Sequence, residues 1–526
     1  FRKEEEEGVP GEFGKVCHIK KQRRKRQKLL IIDLFFDFAK NTTLHGLRYI
    51  TEVGLTVIEK VFWVLTFLAS VILCFMLIER VWHKWWYSPV IVSFNEKMVP
   101  VGEVPFPSIT ICPQWKCKTS AYNYTDKQIK HRWGKPKNMS EIDDETYSNE
   151  RILLEDAYLI APKLDEAMYS CRWRGTYSSC KRYFTEVLTR EGVCFNFNAL
   201  AYKDIFKTES IQHDYKYLNS TTPINKWDII SGYTTSENVT EKKKEYPRRG
   251  RENGANPDLE IMLLEDSADI DDSCNSLSNG WKIYLQHPAD LPQSSLYYYA
   301  AIAKQVTSLA LKFSILNTSE SLINYKPEQR QCYFPKDRDL KYFAMYTPDN
   351  CQLECLSLYT YEKCKCVWFH MPHNNGSEIC TASQQTCVEN AQDELASNNL
   401  KYGKCNCLPS CDSVHYDAEI LKTEFDLQKY NNSIKMIHNR TLQDNRRYSR
   451  LEIYFKEPRF VSMRRSELFG LTDFLANCGG LLGLFLGFSF LSFVEIFYFC
   501  TLRLWCTLKN DMKNEKKKLK ESVYKK

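Results

Sequence analysis

The stretch "GGLLGLFLGFSFLSFVEIF", Gly479 to Phe497, combines the composition of a membrane helix with glycines at steps of four and a single glutamate. A helix needs about 20 mostly apolar residues to cross the hydrocarbon core of a bilayer. The uncharged run that contains this stretch extends from Phe474 to Val494, and a second run extends from Val61 to Ile78. We therefore predict two membrane-spanning helices; buried core helices are the alternative interpretation.

The charge distribution predicts the orientation of these spans. The chain has 526 residues and a formal net charge of +7. Residues 1–28 hold ten Lys or Arg against five Glu, residues 503–526 hold nine against three acidic residues, and the segment between them is net negative. Because Lys and Arg are enriched on the cytosolic side of spans, both termini are predicted to be cytosolic. The charged first 28 residues do not resemble a signal peptide, so we expect the first span to act as its own anchor.

Cysteines and glycosylation motifs predict that the segment between the spans faces an oxidising compartment, where disulfides persist. Sixteen of the 21 cysteines lie there. Six of these have a pairing that the sequence leaves open: Cys112, Cys117, Cys171, Cys180, Cys194 and Cys274. Eight Asn-x-Ser/Thr acceptors also lie between the spans, at Asn123, Asn138, Asn219, Asn238, Asn317, Asn375, Asn431 and Asn439.

The intervening segment contains both strand and helix patterns. "VIVSF", "FPSITIC" and "SSLYYYAAIAKQVTSLALKFSIL" are rich in β-branched and aromatic residues and predict strands. Between Cys332 and Cys411 the pattern changes to compact helices, with Thr347 as an N-cap and Pro348 at the first helical position. The polar stretch Ile211 to Asp272 is expected to be an outer insertion. The predicted class is an α+β membrane protein whose large extracellular domain is rich in disulfides.

The glycines of the second span lie on one helical stripe, at Gly479, Gly483 and Gly487. Small residues allow membrane helices to approach closely, so the stripe could serve helix packing alone. Alternatively, several copies could meet along it around a pore. Ser489, Ser492 and Glu495 lie at steps of three and form a polar track that continues past the glycines. A ring of Glu495 carboxylates would favour cations, although Glu495 could instead extend to the cytosolic interface.

Four stretches together resemble the epithelial sodium channel/degenerin superfamily, which includes the acid-sensing ion channels. They are "LHGLRYI" (Leu44 to Ile50), "FPSITIC", the pair "CKCVWFHMP" and "CNCLPSC", and "GGLLGLFLGFS" followed by "LSFVE". The stretch "YTPDNCQLECLSLYTYEKCKC" is most similar to the insect pickpocket branch. The resemblance implies a homo- or heterotrimer, in which each chain contributes two membrane helices and a hand-like extracellular domain with a β-sheet palm and a helical thumb.

The resemblance also implies an amiloride-sensitive-type, voltage-independent sodium channel at the plasma membrane, gated by its extracellular domain, with sodium ions and membrane lipids as its partners. Carried over by position, the selectivity filter falls on Gly487, Phe488 and Ser489, the amiloride position on Gly483, the degenerin position on Ala476, the gating motif on His45 and Gly46, and a pore-mouth acid on Glu495. Phe488 is bulky where the family has a small residue. A filter of different width, a different partner subunit or packing of Phe488 away from the axis could each follow, and we favour packing.

Five disulfides are implied by the resemblance, nested like the rungs of a ladder: Cys332 with Cys411, Cys351 with Cys407, Cys355 with Cys405, Cys364 with Cys387, and Cys366 with Cys380. The implied domains are a cytosolic N-terminus at 1–56, the first span at 57–81, the extracellular domain at 82–470 with its thumb-like part at 332–411, the second span and pore at 471–502, and a cytosolic tail at 503–526.

Three further patterns have weaker interpretations. His370 and His373 lie near cysteines, but disulfides are favoured over a zinc site in an oxidising compartment, and no metal is predicted. Arg248 to Arg251 is a minimal site for secretory convertases, or a solvated charged loop. The basic stretch Lys15 to Lys28 could bind anionic lipids, and nucleic acid is not needed to explain it.

The sequence contains no catalytic motif, so we predict neither an enzyme nor a cofactor. An ATP-gated purinergic-type receptor shares the two-span topology and is the alternative channel. A non-conducting receptor or adhesion protein is the alternative from another class. The stimulus is open, because acid, a peptide, a small molecule, osmotic change, stretch and constitutive opening all fit this extracellular domain.

Overall fold

A computed structural model of the chain describes residues 32–52, 54–87, 90–123, 125, 154–212, 218, 222–229, 231–234, 245–251, 256–271, 274, 279–293, 297–397, 405–438 and 446–524. These residues belong to two compact units. The first comprises Phe1–Val90 and Glu467–Lys526, and the second comprises Ile91–Ser466. The predicted lipid-binding stretch Lys15 to Lys28 and the acceptors Asn138, Asn219, Asn238 and Asn439 lie outside the described residues.

The first unit is helical in its described part. Residues 32–41 form a helix. The other helices of this unit are Leu47–Thr51, Val57–Tyr87, Leu471–Leu486, Phe490–Tyr498 and Leu504–Tyr524, with a π-helical turn at Phe499–Arg503. We refer to Val57–Tyr87 as the first-span helix, to Leu471–Leu486 as the glycine-rich helix and to Phe490–Tyr498 as the capped helix.

In the part of the chain that the structure describes, two helical segments are long and apolar enough to cross a membrane, Val57–Tyr87 and Phe490–Asn514. The glycine-rich helix is shorter and also apolar. The sequence predicts a continuous second helix through Phe474 to Val494, and this is wrong at residues 487–489, where the helix is interrupted. The interruption follows from Gly487, because this residue adopts a left-handed conformation that ends the first helix.

The described residues of the second unit form seventeen strands in four sheets. Their bounds are β1 Val90–Pro100, β2 Ser108–Pro113, β3 Met168–Trp173, β4 Thr176–Ser178, β5 Phe184–Thr189, β6 Gly192–Phe197, β7 Trp227–Asp228, β8 Gly232–Tyr233, β9 Leu259–Glu265, β10 Trp281–Gln286, β11 Tyr299–Ala301, β12 Gln305–Thr318, β13 Cys366–Val367, β14 Glu378–Ile379, β15 Ser413–Glu424, β16 Arg447–Phe455 and β17 Arg459–Glu467. The last residue of β17 and the first of β1 belong to the first unit.

The larger sheet has the order β1-β17-β12-β16-β9-β3-β4. Its eighth strand, β15, lies off this path and pairs with β12 in antiparallel orientation. A five-stranded sheet has the order β11-β10-β2-β6-β5. One hydrophobic core contains side chains from both sheets, since Phe106 contacts Trp173, Phe197 and Phe455 with ring centroids 5.0, 6.0 and 5.5 Å apart. The predicted strand "FPSITIC" therefore enters the centre of the domain.

Among its described residues, the second unit has seven α-helices beside these sheets, at Leu154–Ile160, Leu164–Ala167, Tyr202–Ile205, Pro327–Arg330, Pro348–Cys364, Gln385–Ser397 and Leu427–His438. The helix Pro348–Cys364 begins as the sequence predicts: Thr347 is its N-cap and accepts a hydrogen bond from the backbone N–H of Asn350 at 3.2 Å. Cys351 and Leu353 of this helix pack in a second hydrophobic core, together with Val187 and Cys194 of the five-stranded sheet.

Eight disulfides join the sixteen cysteines of the second unit. Five of them are the pairs that the resemblance implies, Cys332–Cys411, Cys351–Cys407, Cys355–Cys405, Cys364–Cys387 and Cys366–Cys380. The three that the sequence leaves open are Cys112–Cys194, Cys117–Cys274 and Cys171–Cys180. Since a disulfide removes conformational freedom from the unfolded chain, this dense set stabilises a region with short helices and long loops.

The predicted outer insertion from Ile211 to Asp272 is wrong for its last part. Residues Leu259–Glu265 form β9, which lies in the larger sheet between β16 and β3. Leu259, Ile261 and Leu263 are fully buried in the main core. The polar composition of the surrounding stretch conceals a seven-residue strand, because a mean over sixty residues does not reveal so short an apolar run.

The stretch Arg248 to Arg251 is not the solvated charged loop that the sequence also allows. The backbone N–H of Arg248 donates to Asn198 Oδ1 at 2.6 Å, and its carbonyl accepts from the N–H of Phe106 at 2.8 Å. Arg249 pairs with Glu245, and a Cβ at Gly250 would lie 2.5 Å from the Phe455 ring. A protease needs an accessible, extended substrate, and this stretch is hydrogen-bonded into the domain.

His370 and His373 are buried, and the cysteines near them in sequence form disulfides. Removal from water disfavours the charged imidazole and lowers the pKa of His370 to about 3. One ring nitrogen of His373, Nδ1, lies 2.9 Å from the carbonyl of Met371. Within the described residues, no group of three or more potential metal ligands is present.

Candidate functional site

The predicted filter residues lie at the junction of two helices. At the end of the glycine-rich helix, the N–H of Gly487 donates to the carbonyl of Gly483 at 3.0 Å and the N–H of Phe488 donates to Leu482 at 3.2 Å. Gly487 has a φ of +63°, which glycine adopts without the penalty that a Cβ brings. This is a Schellman-type helix end, so the three residues 487–489 form a break in the second span.

Ser489 starts the next helix. It has extended backbone angles, and its Oγ accepts the N–H of Ser492 at 3.3 Å, while its own N–H donates to Ser492 Oγ at 3.1 Å. Ser489 itself is exposed, whereas the residue before it, Phe488, is half-buried. This partial burial supports the interpretation that Phe488 packs within the chain, and it leaves the hydroxyl-bearing Ser489 at the surface of the break.

The predicted gating motif contacts the same break. The N–H of His45 donates to the carbonyl of Leu486 at 2.9 Å, which satisfies a carbonyl at the end of the glycine-rich helix. A Cβ at Gly487 would lie 2.6 Å from His45 Nδ1, so the imidazole occupies the space that glycine leaves. Gly46 has a φ of +87°, which turns the chain into the helix Leu47–Thr51. Two glycines thus permit the close approach of the motif to the break.

A hydrogen-bond cluster joins the residues before this motif to the capped helix. Thr43 Oγ1 lies 2.7 Å from Ser492 Oγ, and Ser492 is fully buried. The N–H and the hydroxyl of Thr43 both donate to Glu495 Oε2 at 3.3 Å. Glu495 therefore has one carboxylate oxygen engaged by the N-terminal segment. The structure brings together His45, Gly487, Ser489 and Glu495 through contacts that no local pattern predicts.

The N-terminal segment also contacts the second span further along. Arg503 forms an ion pair with Asp37 at 3.4 Å, and the rings of Phe38 and Phe499 are 5.3 Å apart in an edge-to-face arrangement. Both contacts lie at the π-helical turn, a rare widening of the helix. The segment 37–45 thus follows the second span from the break to this turn.

At the opposite end of the glycine-rich helix, two tryptophans of the first-span helix enclose Phe474. The Trp85 ring stacks on Phe474 with centroids 5.0 Å apart, and Trp82 approaches at 5.7 Å. Ala476, at the predicted degenerin position, is exposed two residues further along. This aromatic contact fixes one face of the helix and leaves the face with Ala476 uncovered by the chain.

Two glycines of the stripe, Gly479 and Gly483, are also uncovered, whereas His45 lies against Gly487. A Cβ added at Gly479 or Gly480 would have no heavy atom within 4 Å, and at Gly483 it would meet only the carbonyl oxygen of Phe488, at 3.8 Å. These glycines therefore do not serve packing against the first-span helix. Sequence reasoning predicted the stripe, but it missed Thr43. It placed Ser492 on the polar track with Ser489 and Glu495, whereas the structure buries Ser492 against Thr43. Two hydroxyl residues immediately before "LHG" were the only available signal for Thr43.

A family model described as "Amiloride-sensitive sodium channel" matches residues 38–499, which is most of the chain. The chain belongs to this family. Pickpocket protein 28 of Drosophila melanogaster is 29% identical over 500 residues, covering 92% of this chain and 81% of that protein. Sodium channel protein Nach of Drosophila melanogaster is 23% identical, and the match covers 92% of this chain and 90% of that protein. Acid-sensing ion channel 1C of Danio rerio is 23% identical, and the match covers 88% of this chain and 82% of that protein.

Membership of the amiloride-sensitive sodium channel family confirms the predicted superfamily and the predicted fold class, with two candidate membrane helices and a disulfide-rich α+β domain. It also confirms that the chain is an ion-channel family member and not an enzyme. The match extends over the gating motif and the helix break, both of which lie within residues 38–499. This membership excludes the purinergic-type receptors as the family of the chain.

Proposed function

We propose that this chain is one subunit of a trimeric, amiloride-sensitive-type, voltage-independent sodium channel of the plasma membrane, gated by its extracellular domain. Residues 487–489 form the selectivity filter, Gly483 the amiloride position and Ala476 the degenerin position. The domains follow the bounds of the sequence prediction, with 82–470 outside the cell and with 1–56 and 503–526 in the cytosol. Sodium is the permeant ion, and the subunits assemble as a homo- or heterotrimer in the lipid bilayer.

The observation that carries this proposal is the break at 487–489. Irregular backbone is tolerated at membrane depth where it lines a water-filled path or is buried in protein. The break exposes Ser489, and a Cβ added at Gly479 or Gly480 would have no heavy atom within 4 Å, while at Gly483 it would meet only the Phe488 carbonyl. Three copies meeting along these glycines would place backbone carbonyls and Ser489 hydroxyls around an axis, where they can replace part of the hydration shell of a cation.

The acid at Glu495 supports cation preference below the filter. Its Oε2 accepts hydrogen bonds from Thr43, and the other oxygen remains available to water and ions. A carboxylate at this depth is costly unless it faces water or a partner, so three copies would concentrate negative charge at the inner mouth. The contact with Thr43 fixes the position of this charge relative to the gating motif.

The second unit is suited to an extracellular location. Its sixteen cysteines all form disulfides, which persist outside the cell. Among the acceptors in the described residues, Asn123, Asn317 and Asn375 are exposed and Asn431 is half-buried. We propose that these and the other four acceptors carry glycans. A rigid, crosslinked domain can transmit movement to the spans without dissipating it in internal deformation.

The proposal is tested by recording current from cells that express the chain, alone and with related subunits. Bi-ionic reversal potentials should show a sodium preference that falls in Ser489→Ala. Ser489→Thr keeps a hydroxyl for capping and serves as the matched variant, and Leu484→Ala, at an exposed position one turn earlier, serves as the control. An unchanged sodium-to-potassium ratio in Ser489→Ala would remove Ser489 from the filter.

Amiloride block tests the assignment of Gly483, and the number of subunits tests the trimeric assembly. Amiloride should block the current, and Gly483→Ala should weaken the block while Gly479→Ala does not. Crosslinking of the purified channel should give a trimer. Block that is the same in Gly483→Ala and in the unaltered channel would contradict the amiloride position, and current only with a second subunit would establish the heteromer.

A further inference from the structure

Two cysteines near the end of the second span are exposed, Cys500 and Cys506. The sixteen cysteines of the second unit are in disulfides, Cys74 is buried within the helices and Cys478 is half-buried. Among the cysteines that the structure describes, the exposed thiols are therefore confined to this one short segment.

The surroundings of the two thiols combine exposed apolar side chains with positive charge. Leu502 and Trp505 are 56% and 61% exposed, although both are large apolar residues. Arg503 lies between the two cysteines, and Lys509 Nζ lies 4.8 Å from the Trp505 ring centroid. Apolar side chains beside Lys and Arg are typical of the boundary between hydrocarbon and headgroups. A basic run, Lys516 to Lys518, follows in sequence.

Helix geometry places both thiols at this boundary. Six residues at a rise of about 1.5 Å separate Cys500 and Cys506 by about 9 Å along the axis, with Arg503 midway. A guanidinium at the headgroup level therefore leaves one thiol just inside the hydrocarbon and the other just outside it. Both are within the reach of a fatty acyl chain that enters the same leaflet.

We propose that Cys500 and Cys506 are S-acylated. Cysteines next to a membrane span and followed by basic residues are the usual substrates of this modification. In the reaction, the cysteine sulfur attacks the carbonyl carbon of a fatty acyl-coenzyme A thioester. A new carbon–sulfur bond forms to the cysteine, the bond to coenzyme A breaks, and the coenzyme A thiolate takes up the proton that the cysteine loses. The reaction involves no oxidation or reduction.

Acylation would anchor the inner end of the second span where it contacts the N-terminal segment. The modified residues flank Arg503, which pairs with Asp37, and Cys500 follows Phe499, which contacts Phe38. Two acyl chains would hold this joint in the inner leaflet. The inference rests on the proposed topology, in which the tail at 503–526 is cytosolic and its thiols are kept reduced.

The test counts thioesters on the full-length channel from cell membranes. Free thiols are blocked, thioesters are cleaved with hydroxylamine, and the released thiols are tagged with maleimide-polyethylene glycol. A Cys17→Ser background removes the other cytosolic candidate. We expect two tags per chain, one tag in Cys500→Ala or Cys506→Ala, and none in the double variant. Cys478→Ala, in the neighbouring helix, is the matched control and should keep both tags. Without hydroxylamine, no tag is expected on any chain.

An equal number of tags in the double variant and in the Cys17→Ser chain would overturn the proposal. A membrane-impermeant maleimide applied to intact cells distinguishes this failure from a failure of the topology. Labelling of Cys506 from outside would overturn both the cytosolic location of the tail and the acylation. If the impermeant maleimide does not label intact cells, and the double variant still carries as many tags as the Cys17→Ser chain, the acylation alone is overturned.

Discussion

At the scale of single residues, Gly487 has two independent reasons to be glycine. Its φ is +63°, and a Cβ would lie 2.6 Å from His45 Nδ1. A side chain in the left-handed region costs about 1–2 kcal/mol before any clash. We expect Gly487→Ala to abolish most of the current at unchanged surface density, whereas Gly479→Ala, where no atom lies within 4 Å, retains it.

Patch-clamp current normalised to surface biotinylation measures this difference. The contrast between the two variants is informative because both glycines lie in the same apolar run, and only one is a helix end. Equal loss in both variants would mean that the glycine stripe, and not the contact with His45, determines conduction.

Asp290 makes a prediction about pH. Burial and the neighbouring Asp349 carboxylate raise the pKa of Asp290 to about 8, from an ordinary value of 3.8. Between these values the folded state holds a proton that the unfolded state lacks, so the free energy of unfolding falls as pH rises through this window. Burial lowers the pKa of His287 to about 4, which gives the opposite slope up to its ordinary value of 6.5.

Of these two groups, Asp290 alone still titrates between pH 6.5 and 8. We therefore expect Asp290→Asn to raise the Tm at pH 8 relative to the unaltered chain and to flatten its decline above pH 6.5. Asp165→Asn, at an exposed position, is the control. Thermal unfolding of the detergent-solubilised channel across this range measures the effect, and parallel pH profiles for Asp290→Asn and the unaltered chain would refute it.

At the scale of elements, the helix Pro348–Cys364 depends on one hydroxyl at its start. Thr347 accepts the N–H of Asn350 and hydrogen-bonds to the Asp290 side chain. Loss of such a cap costs about 1 kcal/mol. We expect Thr347→Ala to lower the Tm of the solubilised channel and Thr347→Ser to leave it nearly unchanged. A Tm in Thr347→Ala that matches that of Thr347→Ser would show that the cap contributes little here.

Elements with strong local signals could be predicted from sequence, and those that depend on distant partners could not. Thr347-Pro348 identifies a helix start, because both residues act on their own backbone. Gly487 gave no such signal, since glycine also occurs inside packed membrane helices, and its contact with His45 joins residues that are far apart in sequence. β9 was missed for a related reason: its burial comes from β16 and β3, and its polar neighbours in sequence hide it.

At the scale of the whole molecule, the second unit protects its own basic stretch. Arg248 and Arg249 are held by Asn198, Phe106 and Glu245. We expect secretory convertases, which cut after the last arginine of an Arg-x-x-Arg site, to leave the bond after Arg251 intact in surface protein, as measured by mass spectrometry of its termini. Reduction and denaturation should make the same bond susceptible to trypsin. A chain cut there in native surface protein would contradict this packing.

The fold class was accessible from sequence because hydropathy, charge and cysteine placement are properties of the whole chain. The site was accessible only in part. The family pattern located His45 and Ser489 separately, but the hydrogen bonds of Thr43 to Ser492 and Glu495 join residues about 450 positions apart in sequence. No periodicity encodes such a distance, and only the folded chain brings these groups together.

In the channel that we propose, the contact between the N-terminal segment and the helix break would give the cytosol its own access to permeation. An event that displaces residues 37–45, such as a binding partner, a change in lipid charge or a modification nearby, would act on Leu486 and Glu495 directly, because His45 and Thr43 are hydrogen-bonded to them. Such a channel would integrate two inputs, one from each side of the membrane, at a break three residues long.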